Sequence, residues 1–298
     1  MNILVLGVSG MLGHTLFTHL ASTGRHRVRG SARKQEALRP FFPEELYQHI
    51  VCGVDADNFD SIIKVAGEFK PDCIINCIGI IKQQAAATEH IPALMVNSIL
   101  PHRLAAFCKA IGARLIQIST DCVFDGMSGM YCEDDISNAA DLYGRTKYLG
   151  EVTQSHCITL RTSIIGHELT TRYGLVEWFL SQTGTVNGFT KAIFSGFPTV
   201  EIARIIADLI LPAPELSGLY HVSSDPISKY DLLGLIARQY GISTPIVPCE
   251  NFAVDRSLDS NRFKKATGYQ PSAWETLIEL MYADFMDSFS YRERRQHV

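Results

Sequence analysis

The chain is predicted to be an α/β protein: a Rossmann-type doubly wound parallel sheet with a smaller C-terminal α/β substrate lobe. Three observations lead there. Continuous apolar runs alternate with stretches of helical spacing through the first half of the chain. A glycine-spaced turn, Gly7-Val8-Ser9-Gly10-Met11-Leu12-Gly13, follows the first apolar run and opens the first helix. Tyr143 and Lys147 stand four residues apart, one helical turn, after a strand that ends in Ser119-Thr120-Asp121.

Each element follows from its local pattern. Asn2–Gly7 is a continuous apolar run, as a strand covered on both faces requires. Met11–Ser22 has helical apolar spacing, and Val28–Ala32 and Ile50–Asp55 read as the second and third strands. A helix near Phe59–Phe69 ends before Pro71, and Asp72–Gly79 is the fourth strand. Ala93–Ile111 is helical, with a kink or break expected at Pro101. Arg114–Ser119, a helix over Tyr143–Gln154 and a strand over Ile158–Arg161 complete a dinucleotide-binding domain of residues 1–165. Residues 166–298 read as the smaller lobe, with some segments returning to the first domain. In it Val200–Leu211 and Tyr230–Tyr240 look helical, Gly218–Ser223 looks like a strand, and Arg292–Val298 looks like a polar tail.

The composition is that of a globular protein, 46% hydrophobic and 19% charged, with a net charge of −4 over 298 residues. That balance argues against a nucleic-acid or membrane-surface binder, which needs basic clustering. No leader pattern opens the sequence and no apolar stretch approaches membrane-spanning length, so the expected location is cytoplasmic. The eight cysteines are scattered and form no Cys-x-x-Cys pair, as expected of reduced thiols. No histidine has ligand spacing, so no structural metal is expected, although a Mg2+ ion could accompany a bound pyrophosphate.

The glycine turn is the candidate cofactor site. Gly7 permits the tight turn, Gly10 lets backbone N–H groups of Ser9, Met11 and Leu12 approach a pyrophosphate, and Gly13 allows close helix–strand packing. The second strand ends in Gly30-Ser31-Ala32-Arg33-Lys34, with no acid to take a ribose hydroxyl. Arg33 and Lys34 suit a 2′-phosphate instead, which favours NADP(H) over NAD(H). Asp55 stands where it could accept from an adenine amine. Cys77, Ile78 and Gly79 end the fourth strand beside the expected path of the adenosine.

Thr120, Tyr143 and Lys147 are the candidate catalytic residues. In reduction Tyr143 would donate a proton to the developing alkoxide, while Thr120 holds the oxygen. A neighbouring Lys147 ammonium is expected to lower the Tyr143 pKa and to hold the nicotinamide ribose.

These residues resemble the extended short-chain dehydrogenase/reductase family, and within it the dTDP-4-dehydrorhamnose reductase branch. Ser119-Thr120-Asp121-Cys122-Val123-Phe124-Asp125-Gly126 is similar to that branch's S-T-D-Y-V-F-D-G element. Val96-Asn97 before Pro101, Arg161-Thr162-Ser163, Gly196-Phe197-Pro198-Thr199, Gly218-Leu219-Tyr220-His221-Val222 and Gly268-Tyr269-Gln270-Pro271 extend the likeness over nearly the whole chain. The resemblance implies reduction of a nucleotide-linked 4-keto-6-deoxyhexose, for deoxysugar and cell-surface polysaccharide synthesis, by a monomer or homodimer. It gives Asn97 a supporting role at the cofactor and catalytic site. It places Asp121, Cys122, Val123, Phe124 and Ile164 beside the sugar. Arg256 could hold a pyrophosphate through its fork, and Trp178 and Phe194 line the sugar or base or pack in the core. The family's dehydratases carry a Glu after the Asp, and Cys122 stands there instead, which favours simple reduction. Cys122 and Ile164 replace a Tyr and a Trp of the rhamnose enzymes, so the hexose pocket is expected to differ. The same family contains epimerases and dehydratases with transient hydride transfer, and the branch resembles a regulatory partner of methionine adenosyltransferase.

Overall fold

The first strand, β1 (Asn2–Leu6), buries Ile3, Leu4, Val5 and Leu6 completely. That requires a sheet covered on both faces, and each such side chain contributes about 1.5–3 kcal/mol. The computed structural model describes residues 1–34, 38–82 and 88–292. After β1 come α1 (Met11–Ser22), β2 (Arg27–Ala32), α2 (Glu44–Tyr47), β3 (Ile50–Cys52), α3 (Phe59–Phe69), β4 (Cys73–Asn76), α4 (His90–Ala93), α5 (Leu100–Ile111), β5 (Arg114–Thr120), α6 (Leu142–Leu149) and β6 (Cys157–Thr162). Beyond them lie β7 (Ile164–Ile165), α7 (Leu175–Leu180), β8 (Val186–Phe194), β9 (Phe197–Pro198), α8 (Thr199–Ile205), β10 (Gly218–His221), β11 (Ile227–Ser228), α9 (Lys229–Tyr240), β12 (Ile246–Asp255), α10 (Asn261–Thr267) and α11 (Trp274–Asp287).

Seven strands form one sheet in the order β10-β6-β5-β4-β1-β2-β3, with every neighbouring pair parallel. Alternation along the strands sends side chains to two different layers. Ile3, Val5, Cys73, Ile75, Ile116 and Ile158 face a cluster with α1 and α8, whereas Leu4, Leu6, Ile74, Leu115 and Cys157 face α3 and α5. The strand order reverses between β1 and β4. Ligands of open α/β sheets bind at such a reversal, beyond the carboxyl ends of the strands.

The later chain extends the main sheet and adds to the layer on its α1 face. β10 joins the main sheet beside β6, and α8 packs on α1. A second sheet, β11-β8-β12, pairs β8 with β12 in parallel across about sixty residues, from Val186↔Ile246 to Ile193↔Asp255. One apolar cluster runs from β1 and α1 through α8 to α9 and α11. Of the expected polar tail, residues 293–298 lie outside the described residues.

Two expected elements differ in form. The helix predicted over Ala93–Ile111 is His90–Ala93, a π-turn over Leu94–Ile99, and then Leu100–Ile111, with Pro101 in the first turn of α5. Proline is accommodated there because the first-turn N–H groups have no intrahelical partner. Contrary to expectation, His90–Ile111 has the length and composition of a membrane crossing, 22 residues at a mean hydropathy of 1.2, but half of it is buried within the fold. The helix expected to reach Gln154 stops at Leu149. Gly150 follows, and a Cβ there would lie 1.9 Å from the Asn97 carbonyl oxygen. From that abutment the chain turns to β6, where the Thr159 hydroxyl accepts from Val152 N and donates to Val152 O.

Candidate active site

The glycine turn has the geometry of a cradle. Gly7 has φ +86°, and a Cβ there would crowd the backbone of Cys77 and Ile78 at 3.2 Å. A Cβ on Gly13 would lie 2.1 Å from the Gly7 carbonyl oxygen, so only glycine lets α1 start this close to β1. Gly10 caps α1 without a side-chain hydrogen bond. The first-turn N–H groups therefore face outward beside the exposed Ser9, Gly10 and half-buried Met11, as an anion site needs. Leu12 is buried and anchors the helix. Arg33 and Lys34 are exposed at the end of β2. Ser31 is buried: its carbonyl accepts from Gly7 and Val8, and its hydroxyl has no partner among the described residues. Asp55 lies beyond the end of β3, in a loop where its Oδ1 accepts from Asp57 N. The residues present thus fit a dinucleotide: the glycine turn leaves the start of α1 open, and Arg33 and Lys34 stand exposed at the end of β2.

The three candidate catalytic residues lie around the carboxyl end of β5. Thr120 ends that strand, accepts from Cys122 N at 3.1 Å and donates to Asp121 Oδ1 at 3.1 Å. Tyr143 lies in the first turn of α6, close enough to Thr120 and Cys122 for both to bear on its phenol. Asp141 caps that helix by accepting from Gly144 N at 2.8 Å, and Lys82 closes over it with an ion pair at 2.8 Å. Gly144 is required for the approach: a Cβ there would lie 2.1 Å from the Cys122 carbonyl oxygen.

Lys147 corrects one expectation. Its Nζ donates to the Ile118 carbonyl at 2.7 Å, and the Tyr143 pKa is raised where a lowering was expected. Burial dominates at Tyr143 and raises its pKa, the nearby Cys122 adds to the rise, and the Thr120 hydrogen bond opposes it. Lys147 itself is pulled down to about 8 by burial, with Glu151 and Cys77 acting in the other direction.

Asn97 lies at the centre of the π-turn and ties three parts together. Its Oδ1 accepts from Ile80 N at 2.9 Å, and its Nδ2 donates to Ile80 O at 3.1 Å and Thr146 Oγ1 at 3.3 Å. This fixes the loop after β4 against α6, with Gly79 3.8 Å from Lys147 Nζ as measured from an added Cβ. A π-turn at a functional position is a recurrent device. Cys77 and Ile78 line the same loop, half-buried, and burial pushes the Cys77 thiol up to about 12.

The expected substrate residues divide. Asp121 is buried, and burial raises its carboxyl while Cys122, Thr120, Arg256 and Lys229 act against the rise. Cys122 is half-buried with its thiol pushed up to about 12 by burial and then by Asp121, so it stays neutral and small. Ile164 is half-buried on β7. Arg256 faces this group but already donates to Phe124 O at 2.8 Å and Asp125 O at 3.3 Å. Val123 and Phe124 are a correction: both side chains have no exposure and pack with Tyr131 and Leu258, so they support the loop from inside. Phe124 stacks on Tyr131 at 4.2 Å. Phe194 is in the core against Trp274, while Trp178 is 38% exposed on α7. A groove of about 590 Å³ between α9 and the start of α11 lies apart from Thr120, Tyr143 and Lys147.

Sequence reasoning missed the groups behind the site. Arg161 forms a buried ion pair with Glu151 at 2.7 Å, and Ser119 Oγ donates to the same carboxylate at 2.7 Å. An Arg inside the buried run Cys157–Thr162 was the available signal, since such a charge requires a partner. Glu168 holds the Thr171–Gly174 loop, which brings Gly174 against Met11.

The family described as the RmlD substrate binding domain matches residues 1–286. The methionine adenosyltransferase 2 subunit beta of Xenopus tropicalis is 28% identical over 260 residues, covering 80% of this chain and 72% of that protein. The dTDP-4-dehydrorhamnose reductase of Aggregatibacter actinomycetemcomitans is 26% identical over 302 residues, covering 93% and 97%. In fold, the chain is similar to the dTDP-4-dehydrorhamnose reductase of Bacillus anthracis, solved in complex with NADP, with a TM-score of 0.76 at 22% identity and coverage of 95% and 99%. A match over nearly the whole length, on a parallel sheet of this order, settles the family: the chain belongs to the RmlD substrate binding domain family.

Proposed function

We propose that this protein is an NADPH-dependent reductase of the 4-keto group of a nucleotide-linked 6-deoxyhexose, serving deoxysugar and cell-surface polysaccharide synthesis. The reading is carried by the nearness of Thr120 to the Tyr143 phenol at the end of β5, with Lys147 on the same helix and an uncapped, glycine-lined α1 following β1 in the same sheet. A nicotinamide dinucleotide, when bound, supplies the hydride for the carbonyl carbon. Thr120 and Tyr143 hold the carbonyl oxygen by hydrogen bond, and Tyr143 delivers the proton that completes the alcohol. The raised Tyr143 pKa keeps the phenol protonated at neutral pH, the state a proton donor requires. Lys147, at about 8, is mostly an ammonium there and can hold a ribose hydroxyl.

The likeness to the Aggregatibacter reductase supports the substrate class. Cys122, which acts on the Tyr143 phenol, and Ile164 are smaller than the aromatics of the rhamnose enzymes, so the choice between dTDP- and UDP-linked or N-acetylated sugars belongs to a substrate panel. The methionine adenosyltransferase 2 subunit beta relatives support a rival reading, a non-catalytic NADP-binding regulatory subunit. An epimerase or dehydratase with transient hydride transfer is the other. Mixing the protein with NADPH and 4-keto sugar nucleotides, and following NADPH absorbance, separates the three. Stoichiometric NADPH consumption supports the reductase, product without consumption the epimerase or dehydratase, and no product the regulatory subunit. Tyr143→Phe should lose about 10²–10⁴-fold in kcat with cofactor affinity kept, and full activity in that variant sinks the assignment.

A further inference from the structure

The glycine turn Gly7–Gly13 contains no cationic side chain. A pyrophosphate is a dianion, and a helix N-terminus offers it only about half a positive charge. The segment between β7 and α7, residues 166–174, packs along the start of α1 at three places. A Cβ on Gly174 would lie 2.6 Å from Met11 Cε. A Cβ on Gly166 would lie 2.6 Å from Thr199 Oγ1, which Thr15 Oγ1 meets at 3.2 Å. The His167 ring packs on Tyr291 with centroids 5.1 Å apart, and the Tyr291 hydroxyl bonds His14 Nε2. Met11, His14 and Thr15 all belong to the beginning of α1, so the segment is fixed beside the opening of that helix.

Within the segment one buried acid shapes the backbone. Glu168 is 6% exposed, and its carboxylate accepts twice, Oε1 from Thr171 Oγ1 and Oε2 from Gly174 N, each at 2.7 Å. The two bonds close a short loop on a single carboxylate. Its tip is Arg172 and Tyr173, and both are exposed. Glu168 stands four residues before Arg172 but turns its oxygens to Thr171 and Gly174, and Arg172 has no ion pair among the described residues. Gly174, at one end of the tip, is the residue that abuts Met11. The tip therefore stands next to the first residue of α1, with the acid turned inward and the arginine outward.

We infer that Arg172 is a binding residue for the dinucleotide pyrophosphate, held at the open start of α1 by the Glu168 clamp. The planar guanidinium fork matches phosphate oxygens, and it supplies the full positive charge that the glycine turn lacks. The other cations of the site are engaged elsewhere. Arg33 and Lys34 stand at the end of β2, and Lys147 Nζ is bonded to Ile118 O. Burying a carboxylate is costly unless hydrogen bonds satisfy it. Here those bonds go to the two ends of the tip, so the acid fixes where the arginine is presented. The inference rests on the reading of the glycine turn as a dinucleotide cradle.

The test is cofactor binding without substrate, by fluorescence titration with NADPH and with NADH. Both carry the pyrophosphate, and only NADPH carries the 2′-phosphate. Arg172→Gln should raise both dissociation constants about tenfold and leave their ratio unchanged. That is the opposite of the pattern expected at Arg33 and Lys34. Arg172→Lys should recover part of the loss, because it restores the charge without the fork. Glu168→Gln keeps the arginine but breaks the carboxylate grip, and it should weaken both cofactors alike. Arg172 is exposed, so its variants decide the matter even where Glu168→Gln unfolds. Unchanged constants in Arg172→Gln overturn the inference. Weakening confined to NADPH also overturns it, since Arg172 would then meet the 2′-phosphate. Either result leaves the cofactor reading standing, whereas a wild-type protein that binds neither dinucleotide ends both.

Discussion

Gly144 packs so tightly on Cys122 that a Cβ would come within 2.1 Å of the Cys122 carbonyl oxygen. This contact sets how near the Tyr143 helix lies to the end of β5. Gly144→Ala must push α6 away from Thr120. A displacement of about 1 Å at a reacting group costs on the order of 10²-fold in rate. The expected result is a drop of that size in kcat, with cofactor affinity changed far less. Unchanged kcat would show that the Tyr143–Thr120 approach is not set by this contact.

The two glycines at the start of α1 should separate packing from ligand contact. A Cβ on Gly13 meets the Gly7 carbonyl at 2.1 Å, whereas one on Gly10 meets it only at an ordinary 3.5 Å. Gly13→Ala should lose about 1–3 kcal/mol of stability in urea unfolding. Gly10→Ala should unfold nearly as the wild-type protein does but bind NADPH more weakly, because its new methyl points to the open side of the turn. Equal stability of the two variants would contradict the cradle geometry.

Arg33 and Lys34 are exposed at the end of β2, where the chain has no acid. Replacing both by alanine should weaken NADPH binding about 10–100-fold, the size of one or two charged hydrogen bonds. NADH binding should stay nearly constant. The ratio of the two dissociation constants is the measurement, and equal weakening of both cofactors would remove the 2′-phosphate assignment.

His221 should make the fold sensitive to acid. It has no exposure, and burial, then Arg161, pulls its pKa down from 6.5 to about 4. A folded value below the unfolded one means that the unfolded chain binds the proton first. Stability is therefore complete above about 6.5 and falls as pH drops through 6.5 towards 4. The loss should approach about 3 kcal/mol. Urea midpoints measured between pH 7 and 4 should show it, and His221→Gln should flatten that slope.

Much of this architecture was legible in short windows of sequence. Asn2–Leu6 had to be a central strand because four successive residues are apolar, and Phe59–Phe69 carries a helical stripe bounded by Pro71. The Gly7–Gly13 turn and the Tyr143–Lys147 spacing were equally local, since backbone conformation and one-turn neighbours depend on adjacent residues alone. What the tertiary structure decided is where distant groups meet. Arg161 reaches Glu151, Ser137 and His221 across 10, 24 and 60 positions, and Tyr291 closes on His14 across 277. The pairing of β8 with β12 is as remote, and its exposed, irregular edge leaves no clean alternation to read. The burial of Val123 and Phe124 and the turning of Lys147 to Ile118 O belong to the same class. Residue type says that a charge or an aromatic ring must be satisfied. Only packing, which sums contacts from many segments, selects the partner and with it the electrostatic setting of the site.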